Sequence, residues 1–233
     1  MEPDIKIEYL DWDSRFFGFK IGRLELQSTC IITEHQVGNW RSEGYTCLYI
    51  DSATEVEISN RSSATLNPMS SRCLLQRETR APQLNPEVKI LTQVTDGIIE
   101  LGIHAGKHSR FMCDDHFNKK KTTALYAMWI RESLHGKMGD EIYFIGTEIN
   151  PLGLIAFTNK KSHMQIGLLA VAPGMRNQGI AKKLLTASDH FANAYQLPVM
   201  NLYTQGNNIA AQHLFAQDGF TQISSINQFH LWM

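Results

Sequence analysis

The segment LLAVAPGMRNQGIAKKLL at positions 168–185 constrains the fold of this sequence more than any other stretch. Its apolar beginning has the composition of a buried strand that ends at Pro173. From Gly174 the pattern becomes helical, with Ile180 and Leu184 on one side of the helix, and Arg176 and Gly179 lie in the loop that opens it. The N-terminus of a helix leaves about four backbone N–H groups unpaired and carries partial positive charge. The sequence therefore predicts an α+β protein with an anion site where this strand passes into the helix.

The loop between the predicted strand and helix suits a pyrophosphate. Gly179 allows a ligand to approach the backbone closely, and Ala181 keeps the first helical turn narrow. Arg176 can donate a charged hydrogen bond to a phosphate oxygen. The loop has neither the GxxxxGKS/T pattern of nucleoside triphosphate sites nor the GxGxxG pattern of dinucleotide sites. These residues therefore favour a phosphorylated ligand other than a nucleoside triphosphate or NAD.

The rest of the second half predicts alternating strands and helices. Strands are expected at three antiparallel positions within 141–173, with a turn at 150–153, then at 199–204 and, as one or two strands, within 220–233. Helices are expected from Asp96 as the N-cap, over 122–134 with Gly136 as the C-cap, from 174 onward, and over 207–216.

The first half predicts short strands at 5–10, 16–26, 46–50 and 72–78. Two prolines within 80–87 interrupt any regular element, which predicts a boundary near residue 90. Residues 1–90 would then form a smaller N-terminal domain. Residues 91–233 would form the domain that carries the anion site.

Composition excludes several classes of partner. Lys and Arg total 22 and Asp and Glu total 23, so the net charge of -1 gives no general reason to bind nucleic acid or an anionic membrane. The four cysteines have no CxxC spacing, which indicates free thiols in a reducing compartment. His104 and His108 are four residues apart but lack a third ligand in register, so we expect no metal. Neither a signal peptide nor a membrane-spanning run is evident, and we expect a cytoplasmic protein.

Two motifs together resemble the GNAT superfamily of acyl-CoA-dependent N-acyltransferases. Arg176-Asn-Gln-Gly179-Ile-Ala181 is similar to the R/Q-x-x-G-x-G/A signature that binds the CoA pyrophosphate. Thirty residues on, Asn208 to Phe220 resembles the family's N-x-x-A-x-x-x-Y-x-x-x-G-F pattern. The resemblance implies the GNAT fold, a mixed and mostly antiparallel sheet flanked by helices, with acyl-CoA as co-substrate and no metal. The residues that it implies for the cofactor are Leu169, Ala170, Val171, Arg176, Asn177, Gln178, Gly179, Ile180, Ala181, Asn208, Ala211 and Phe215.

The resemblance also implies a mechanism. The pantetheine would lie between the strand at 169–171 and a neighbouring strand near Tyr203, and the backbone N–H of Leu169 would hold the oxyanion. Phe215 occupies the position where the family usually has a tyrosine that protonates the leaving thiolate. The general base stays open, because His116, His163, His213, Glu148 or a water chain could each serve. Among these candidates, His116 is the residue that we predict as the general base.

Further pieces resemble the TDP-fucosamine acetyltransferases and related enzymes that acylate nucleotide-linked amino sugars. They are Asp13-Ser-Arg-Phe16-Phe17-Gly18, Ser109-Arg110-Phe111, Tyr126-Ala-Met-Trp129, Ile166-Gly-Leu-Leu169 and Thr204-Gln205. The resemblance implies acyl transfer to the amine of a dTDP-linked amino-dideoxysugar such as Fuc3N or fucosamine, for O-antigen or other lipopolysaccharide synthesis. The acyl group would be acetyl or 3-hydroxybutyryl, and the protein a homodimer. The acceptor would contact Phe17, Arg110, Tyr126 and Tyr203, and residues 1–90, as an N-terminal α/β domain, would contribute to the acceptor site.

Two alternative functions remain open at this point. The first is a protein or peptide N-acetyltransferase on the same scaffold. The second is a CoA-binding sensor without catalysis, which the absence of a hydroxyl at Phe215 motivates.

Overall fold

A computed structural model describes residues 6–59, 62–83, 85–134 and 139–233 of the 233-residue chain. Its helices are α1 (Asp11–Phe17), α2 (Glu34–Ser42), α3 (Asp96–Ala105), α4 (Arg110–Cys113), α5 (Lys119–Leu134), α6 (Ile180–Ala194) and α7 (Ile209–Gln217). Its strands are β1 (Glu8–Tyr9), β2 (Lys20–Leu26), β3 (Cys30–Ile32), β4 (Tyr45–Ser52), β5 (Val56–Ile58), β6 (Thr65–Pro68), β7 (Arg72–Glu78), β8 (Val88–Ile90), β9 (Glu141–Gly146), β10 (Pro151–Asn159), β11 (Met164–Val171), β12 (Val199–Gln205) and β13 (Thr221–Trp232).

One large sheet organises the described chain. Its strand order is β1-β2-β4-β13-β7-β12-β11-β10-β9-β8, with β6 also paired to β13. All neighbouring pairs in this sheet are antiparallel except β2 with β4 and β11 with β12, which are parallel. Strands β3 and β5 form a separate two-stranded parallel sheet. The predicted fold class, a mixed and mostly antiparallel sheet flanked by helices, is confirmed.

Helices cover both faces of the sheet. On one face, α6 and α7 pack through Leu184, Phe191 and Phe215 against strands β10 to β12. On the other face, α3 and α5 pack through Ile98 and Ile130. An aromatic cluster that includes residues of α1, α4 and α5 continues this second face over β4 and β13. Each face of the sheet is therefore buried against helices, which gives three layers.

Strand β7 precedes the boundary that the sequence predicts near residue 90, but it belongs to the sheet of the C-terminal half. It pairs with β12 on one side and with β13 on the other, so it lies inside the sheet of the C-terminal half. Its Arg77 forms a bidentate ion pair with Asp189 of α6, with nitrogen–oxygen distances of 2.7 and 3.0 Å, and a third bond of 3.0 Å to Asp218. The sheet therefore does not break at the predicted boundary, and the division into two domains stays a prediction.

Several local predictions for the first half were wrong. The predicted strand at 16–26 begins with the end of α1, which Gly18 closes at a left-handed φ of 84° before β2 starts. The strand predicted at 5–10 is only Glu8–Tyr9 among the described residues, and residue 5 lies outside them. Helix α2 was not predicted, although Thr33 and Gln36 form a capping box at its start.

The second half follows the prediction with small shifts. Thr95, and not Asp96, caps α3, and α5 begins at Lys119; its predicted end at Gly136 lies outside the described residues. The helix predicted from 174 starts only at Ile180, because Asn177 and Gly179 have positive φ values that a right-handed helix excludes. The residues at 220–233 form one long strand with a bulge near Gln222.

Candidate active site

The parallel pair β11 and β12 separates halfway along its length. The strands pair from Met164 with Met200 to Ile166 with Leu202, and no further pair joins them in the described chain. Beyond this point β11 stays paired with β10 as far as Val171, while β12 stays paired with β7. A gap therefore opens between two strands that each keep their other neighbour, and no strand pairing joins their facing edges in the described chain.

A bulge in β11 lies at the start of this gap. Ala156 of β10 pairs with Leu168, whereas the next residue, Phe157, pairs with Ile166, so Gly167 is the extra residue. Ile166 packs on the α6 face, but after the bulge Leu168 packs on the α3 face. The bulge therefore changes, by one residue, which backbone and side-chain groups of β11 face the gap. Bulges beside active sites commonly have this effect.

A cavity of about 560 Å³ lies on the α6 side of the gap. The loop before α6 lines it with Arg176, Asn177 and Gly179, followed by Ile180 and Ala181. Gly179 has a φ of 75°, and a Cβ built there would meet no atom within 4 Å, so open space lies directly in front of the helix N-terminus. This arrangement fits a pyrophosphate held by backbone N–H groups and one arginine.

The other predicted cofactor residues do not all line the smaller cavity. Val171 lines the smaller cavity, and Asn208 lines the larger one while its side chain caps α7 by accepting a hydrogen bond from the N–H of Ala211 at 3.4 Å. Ala170 is buried among residues of the α3 face and lines neither cavity. Gln178 also lines neither, because its amide is turned to the carbonyl of Gly174 at 3.4 Å.

A second cavity, of about 810 Å³, lies on the other face of the sheet. Its floor is the sheet, from β11 and β12 across Arg72 of β7 to Gln228 of β13. Its roof comes from Trp12 and Asp13 of α1 and from residues of α4 and α5. The two cavities share the lining residues Leu169, Ala211 and Phe215, so they meet at the gap between β11 and β12.

The far wall of the larger cavity carries an arginine that forms no ion pair with any described residue. The guanidinium of Arg110 lies 4.1 Å from the ring centroid of Tyr49 and 4.9 Å from that of Phe111. Asp13 also lines this wall, and the Tyr49 hydroxyl donates to its carboxylate at 3.4 Å. Burial raises the pKa of Asp13 despite the nearby charge of Arg110. Arg110 therefore offers a cation to a ligand in the cavity.

The predicted acceptor residues divide into two groups. Arg110, Tyr126 and Tyr203 line the larger cavity. Phe17 does not: its side chain is buried in the aromatic cluster, with its ring centroid 4.6 Å from that of Phe117. The prediction for Phe17 was wrong because apolar packing, not the cavity, holds this ring. Sequence reasoning missed Trp12 and Arg72, which line the cavity instead.

The candidates for the general base are not brought to the gap. His116 bonds to the carboxylate of Asp114 at 2.9 Å and stacks on Trp232 at 4.9 Å, and it lines neither cavity. His213 and Glu148 also line neither. His163 does line the larger cavity. However, it precedes Leu169 by six residues, or about 20 Å along the chain at the rise of a strand.

The described part of the chain has neither a cluster of metal ligands nor a membrane-spanning helix. It contains no group of three or more His, Cys, Asp or Glu side chains that could hold a metal ion. None of its helices combines the length and the apolar character needed to cross a bilayer.

The loop before α6 and most of the gap between β11 and β12 lie in a segment that matches a known family. Residues 114–220 match the acetyltransferase (GNAT) family, and the chain carries a GNAT acetyltransferase domain. The expected oxyanion donor, Leu169, and the replaced tyrosine position, Phe215, both lie where the two cavities meet. Their catalytic roles stay predictions.

Comparison with known proteins adds one curated relative. Over 138 residues the chain is 25% identical to the spore coat polysaccharide biosynthesis protein SpsD of Bacillus subtilis (strain 168). The match covers 59% of this chain and 47% of that protein, so the chain spans about half the length of the relative.

Solved structures share the fold at low sequence identity. A functionally unknown conserved protein from Staphylococcus epidermidis ATCC 12228 matches with a TM-score of 0.63 and 12% identity, covering 100% of this chain and 92% of that one. A GCN5-related N-acetyltransferase from Sphaerobacter thermophilus matches with a TM-score of 0.52 and 11% identity, covering 97% and 75%. These likenesses concern the fold alone.

Proposed function

We propose that this protein transfers a short acyl group from CoA to the amine of a dTDP-linked amino-dideoxysugar such as Fuc3N or fucosamine. The acceptor nitrogen attacks the thioester carbonyl, the C–N bond forms and the C–S bond breaks, and the amine proton passes to water. The thiolate of CoA takes up a proton from solvent. Positioning both substrates at the gap supplies much of the rate enhancement.

The observation that carries this proposal is the junction of the two cavities. An acyl-CoA bound with its pyrophosphate at Gly179 and its pantetheine in the gap would present its thioester beside Leu169 and Phe215. The larger cavity opens on the same residues. A direct attack in a ternary complex therefore needs no movement of a covalent intermediate, and backbone N–H groups at the edge of β11 are available for the oxyanion.

The length of the larger cavity supports an extended acceptor. Arg110 lies over Tyr49 of β4. Four strand spacings separate β4 from β11 in the sheet, or about 19 Å at the usual distance between strands. An amine at Leu169 would thus belong to a molecule that reaches a cation many ångströms away. A sugar joined to a nucleoside diphosphate has this length and this separation of amine and negative charge, whereas a free amino sugar is too short.

The charges of the cavity support an anionic acceptor over a basic peptide. Arg72, Arg110 and Lys160 line it, against the single carboxylate of Asp13. A carbohydrate acceptor also agrees with the likeness to SpsD, a protein of spore coat polysaccharide biosynthesis. Synthesis of O-antigen or another surface polysaccharide, and a homodimer as the working form, remain parts of the proposal that follow from resemblance.

Thiol release tests the proposal. The purified protein is incubated with acetyl-CoA or 3-hydroxybutyryl-CoA and a panel of dTDP-linked amino-dideoxysugars, and free CoA is followed with a chromogenic thiol reagent. We expect release with one amino sugar and one acyl-CoA, and loss of most activity at low acyl-CoA concentration in Arg176→Ala. Silence over the whole panel with intact CoA binding by calorimetry would instead favour a peptide acceptor or a non-catalytic CoA sensor.

A further inference from the structure

Arg72 is a second cavity-lining arginine to which sequence reasoning gave no role. It stands at the start of β7, paired with Gln205 at the end of β12 and with Ile226 of β13. Two strand spacings, or about 10 Å, separate β7 from β11. Arg72 therefore lies on the floor of the cavity between the reacting end at Leu169 and the far wall at Arg110.

Among the described residues, only one nitrogen of the Arg72 guanidinium has a hydrogen-bond partner. Its Nη2 donates to the carboxylate of Asp51 at 3.3 Å, and the other oxygen of that carboxylate accepts from the amide of Gln228 at 2.8 Å. The guanidinium lies 5.1 Å from the ring centroid of Tyr203. Its Nε is buried without a hydrogen-bond partner. Of the five N–H donors that an arginine carries, most are thus left for a ligand.

Asp51 is a nearby carboxylate for both arginines of the cavity. Asp51 is 3% exposed and serves as the ion-pair partner of Arg72, while its charge also acts on Arg110. Arg110 has no carboxylate within 4.0 Å among the described residues, and Asp13 is its other nearby acid. The ion pair of Asp51 with Arg72 therefore leaves Arg110 without a paired carboxylate among the described residues. Planar guanidinium groups in this arrangement suit a phosphate, which accepts paired hydrogen bonds from each fork.

We infer that Arg72 and Arg110 bind the diphosphate of the acceptor from the floor and the roof of the cavity, and that Arg72 determines the preference for nucleotide-linked over free amino sugars. This inference rests on the proposed function. It assigns to Arg72 the part of the acceptor nearest to the sugar, and to Arg110 the part farther from the reacting amine. Asp51 and Gln228 position Arg72, Asp51 by its ion pair and Gln228 by its hydrogen bond to Asp51.

Steady-state kinetics with three acceptors test the inference. The acceptors are the dTDP-linked amino sugar, its 1-phosphate and the free amino sugar, and the variants are Arg72→Gln and Arg72→Lys. We expect Arg72→Gln to raise the KM for the dTDP-linked acceptor about 10- to 100-fold, with the KM for acyl-CoA and for the free sugar unchanged. Arg72→Lys keeps the charge but loses the fork, so its effect should be intermediate.

Controls separate this inference from the proposed function. Arg41→Gln removes an exposed arginine of α2, whose contact is a 3.1 Å bond to Ser63, and should change no kinetic constant. Thermal unfolding and calorimetry with CoA establish that Arg72→Gln is folded. Calorimetry with dTDP measures the anion subsite without turnover, and Arg72→Gln should bind it more weakly by the same factor.

The outcomes are distinct. If the wild-type protein acylates the dTDP-linked sugar but Arg72→Gln keeps its KM and its affinity for dTDP, the role of Arg72 is overturned and the proposed function stands. If the wild-type protein neither acylates the dTDP-linked sugar nor binds dTDP, both fail together. An equal rise in KM for all three acceptors would show a general effect on the cavity and would also overturn the role in selecting the diphosphate.

Discussion

Ile166 of β11 pairs with Leu202 of β12, and this is the last pair that joins the two strands. The gap between the two strands begins directly after this pair. The bulge at Gly167 changes the direction of β11 directly after it, and the two cavities meet beyond it at Leu169 and Phe215. The helix N-terminus at Ile180 lies on one side of the gap and the arginines of the larger cavity on the other.

The pyrophosphate loop can be tested with two matched glycines. Gly179 has a φ of 75°, whereas Gly174 in the same loop has no positive φ, and a Cβ at either would meet no atom within 4 Å. Gly179→Ala should reduce the free energy of unfolding by about 1 to 2 kcal/mol, because left-handed backbone is unfavourable for alanine. It should also weaken CoA binding, since the methyl group occupies the approach to the helix N-terminus. Calorimetry with CoA should show neither effect for Gly174→Ala, and equal effects at both positions would contradict this account of the loop.

Restoring a hydroxyl at the junction tests the need for an acid. Phe215 is 6% exposed, and its ring lies edge-on to Phe220 with centroids 5.7 Å apart. A thiol has a pKa near 8.5 and leaves tolerably as thiolate, so we expect Phe215→Tyr to change kcat by less than about threefold at pH 8. General acid help is typically worth about 10² to 10⁴-fold. A gain of that size in the variant would show that protonation of the thiolate limits the wild-type enzyme.

The buried His230 and Asp114 should make the fold sensitive to acid. Burial lowers the pKa of His230, and the 2.7 Å bond from its Nδ1 to Asp114 offsets this only in part. Below about pH 6.5 the unfolded chain therefore binds a proton that the folded chain does not, and stability is lost as the pH falls. Denaturant unfolding from pH 8 to 5 should show a slope of up to about 1.4 kcal/mol per pH unit from this group.

A pair of histidine variants isolates that contribution. His230→Gln should flatten the pH dependence between 6.5 and 5, whatever its effect on stability at pH 8. His190→Gln, on the exposed side of α6, should leave it unchanged. Parallel curves for the wild type and His230→Gln would mean that this histidine does not titrate on unfolding.

Asp114 should add a second loss of stability at lower pH. Burial alone would raise the pKa of its carboxyl, but hydrogen bonds from His230, the backbone and side chain of His116, and Trp232 outweigh it and hold the pKa well below the usual value. Its contribution is present above about pH 4 and is lost as the pH falls through the folded value. Asp114→Asn should therefore reduce the dependence of the unfolding free energy on pH below 4, and an unchanged dependence would refute the assignment.

The buried ion pairs of β7 predict a large loss of stability. Arg77 is 5% exposed and bonds to both Asp189 and Asp218, so removing its charge leaves two buried carboxylates underpaired. Arg77→Met should lower the free energy of unfolding by about 3 to 5 kcal/mol in a urea titration. Arg41→Met, on the surface of α2, should change it by less than about 0.5 kcal/mol. Equal effects would show that β7 is not fixed to α6 and α7 by these pairs.

Local signals in the sequence predicted the elements around the proposed acyl-CoA half of the site. The loop from Arg176 to Gly179, the cap at Asn208 and the strand, helix, strand succession around them depend on neighbours within a few residues. The start of α6 was misplaced, because the left-handed φ values at Asn177 and Gly179 depend on the detailed path of the loop, and the predicted Ala170 and Gln178 line neither cavity.

The acceptor half depends on contacts between distant parts of the chain. Strand β7 pairs with β12 more than 120 residues later, as with Gln76 and Asn201, and no local pattern specifies that pairing. Without it, Arg72 cannot be placed in the cavity. Likewise, Phe17 and Trp12 lie on one short helix, and only its packing decides that the phenylalanine is buried while the tryptophan is 46% exposed and lines the cavity.

Initial rates of CoA release, with both acyl-CoA and the dTDP-linked amino sugar varied and the product identified by mass spectrometry, test the central claim most directly. If both substrates must meet at Leu169 and Phe215, the reciprocal plots intersect and the acyl group is found on the amine of the sugar. Parallel plots with an acylated enzyme, or acylation of peptides with none of the sugar, would contradict the account.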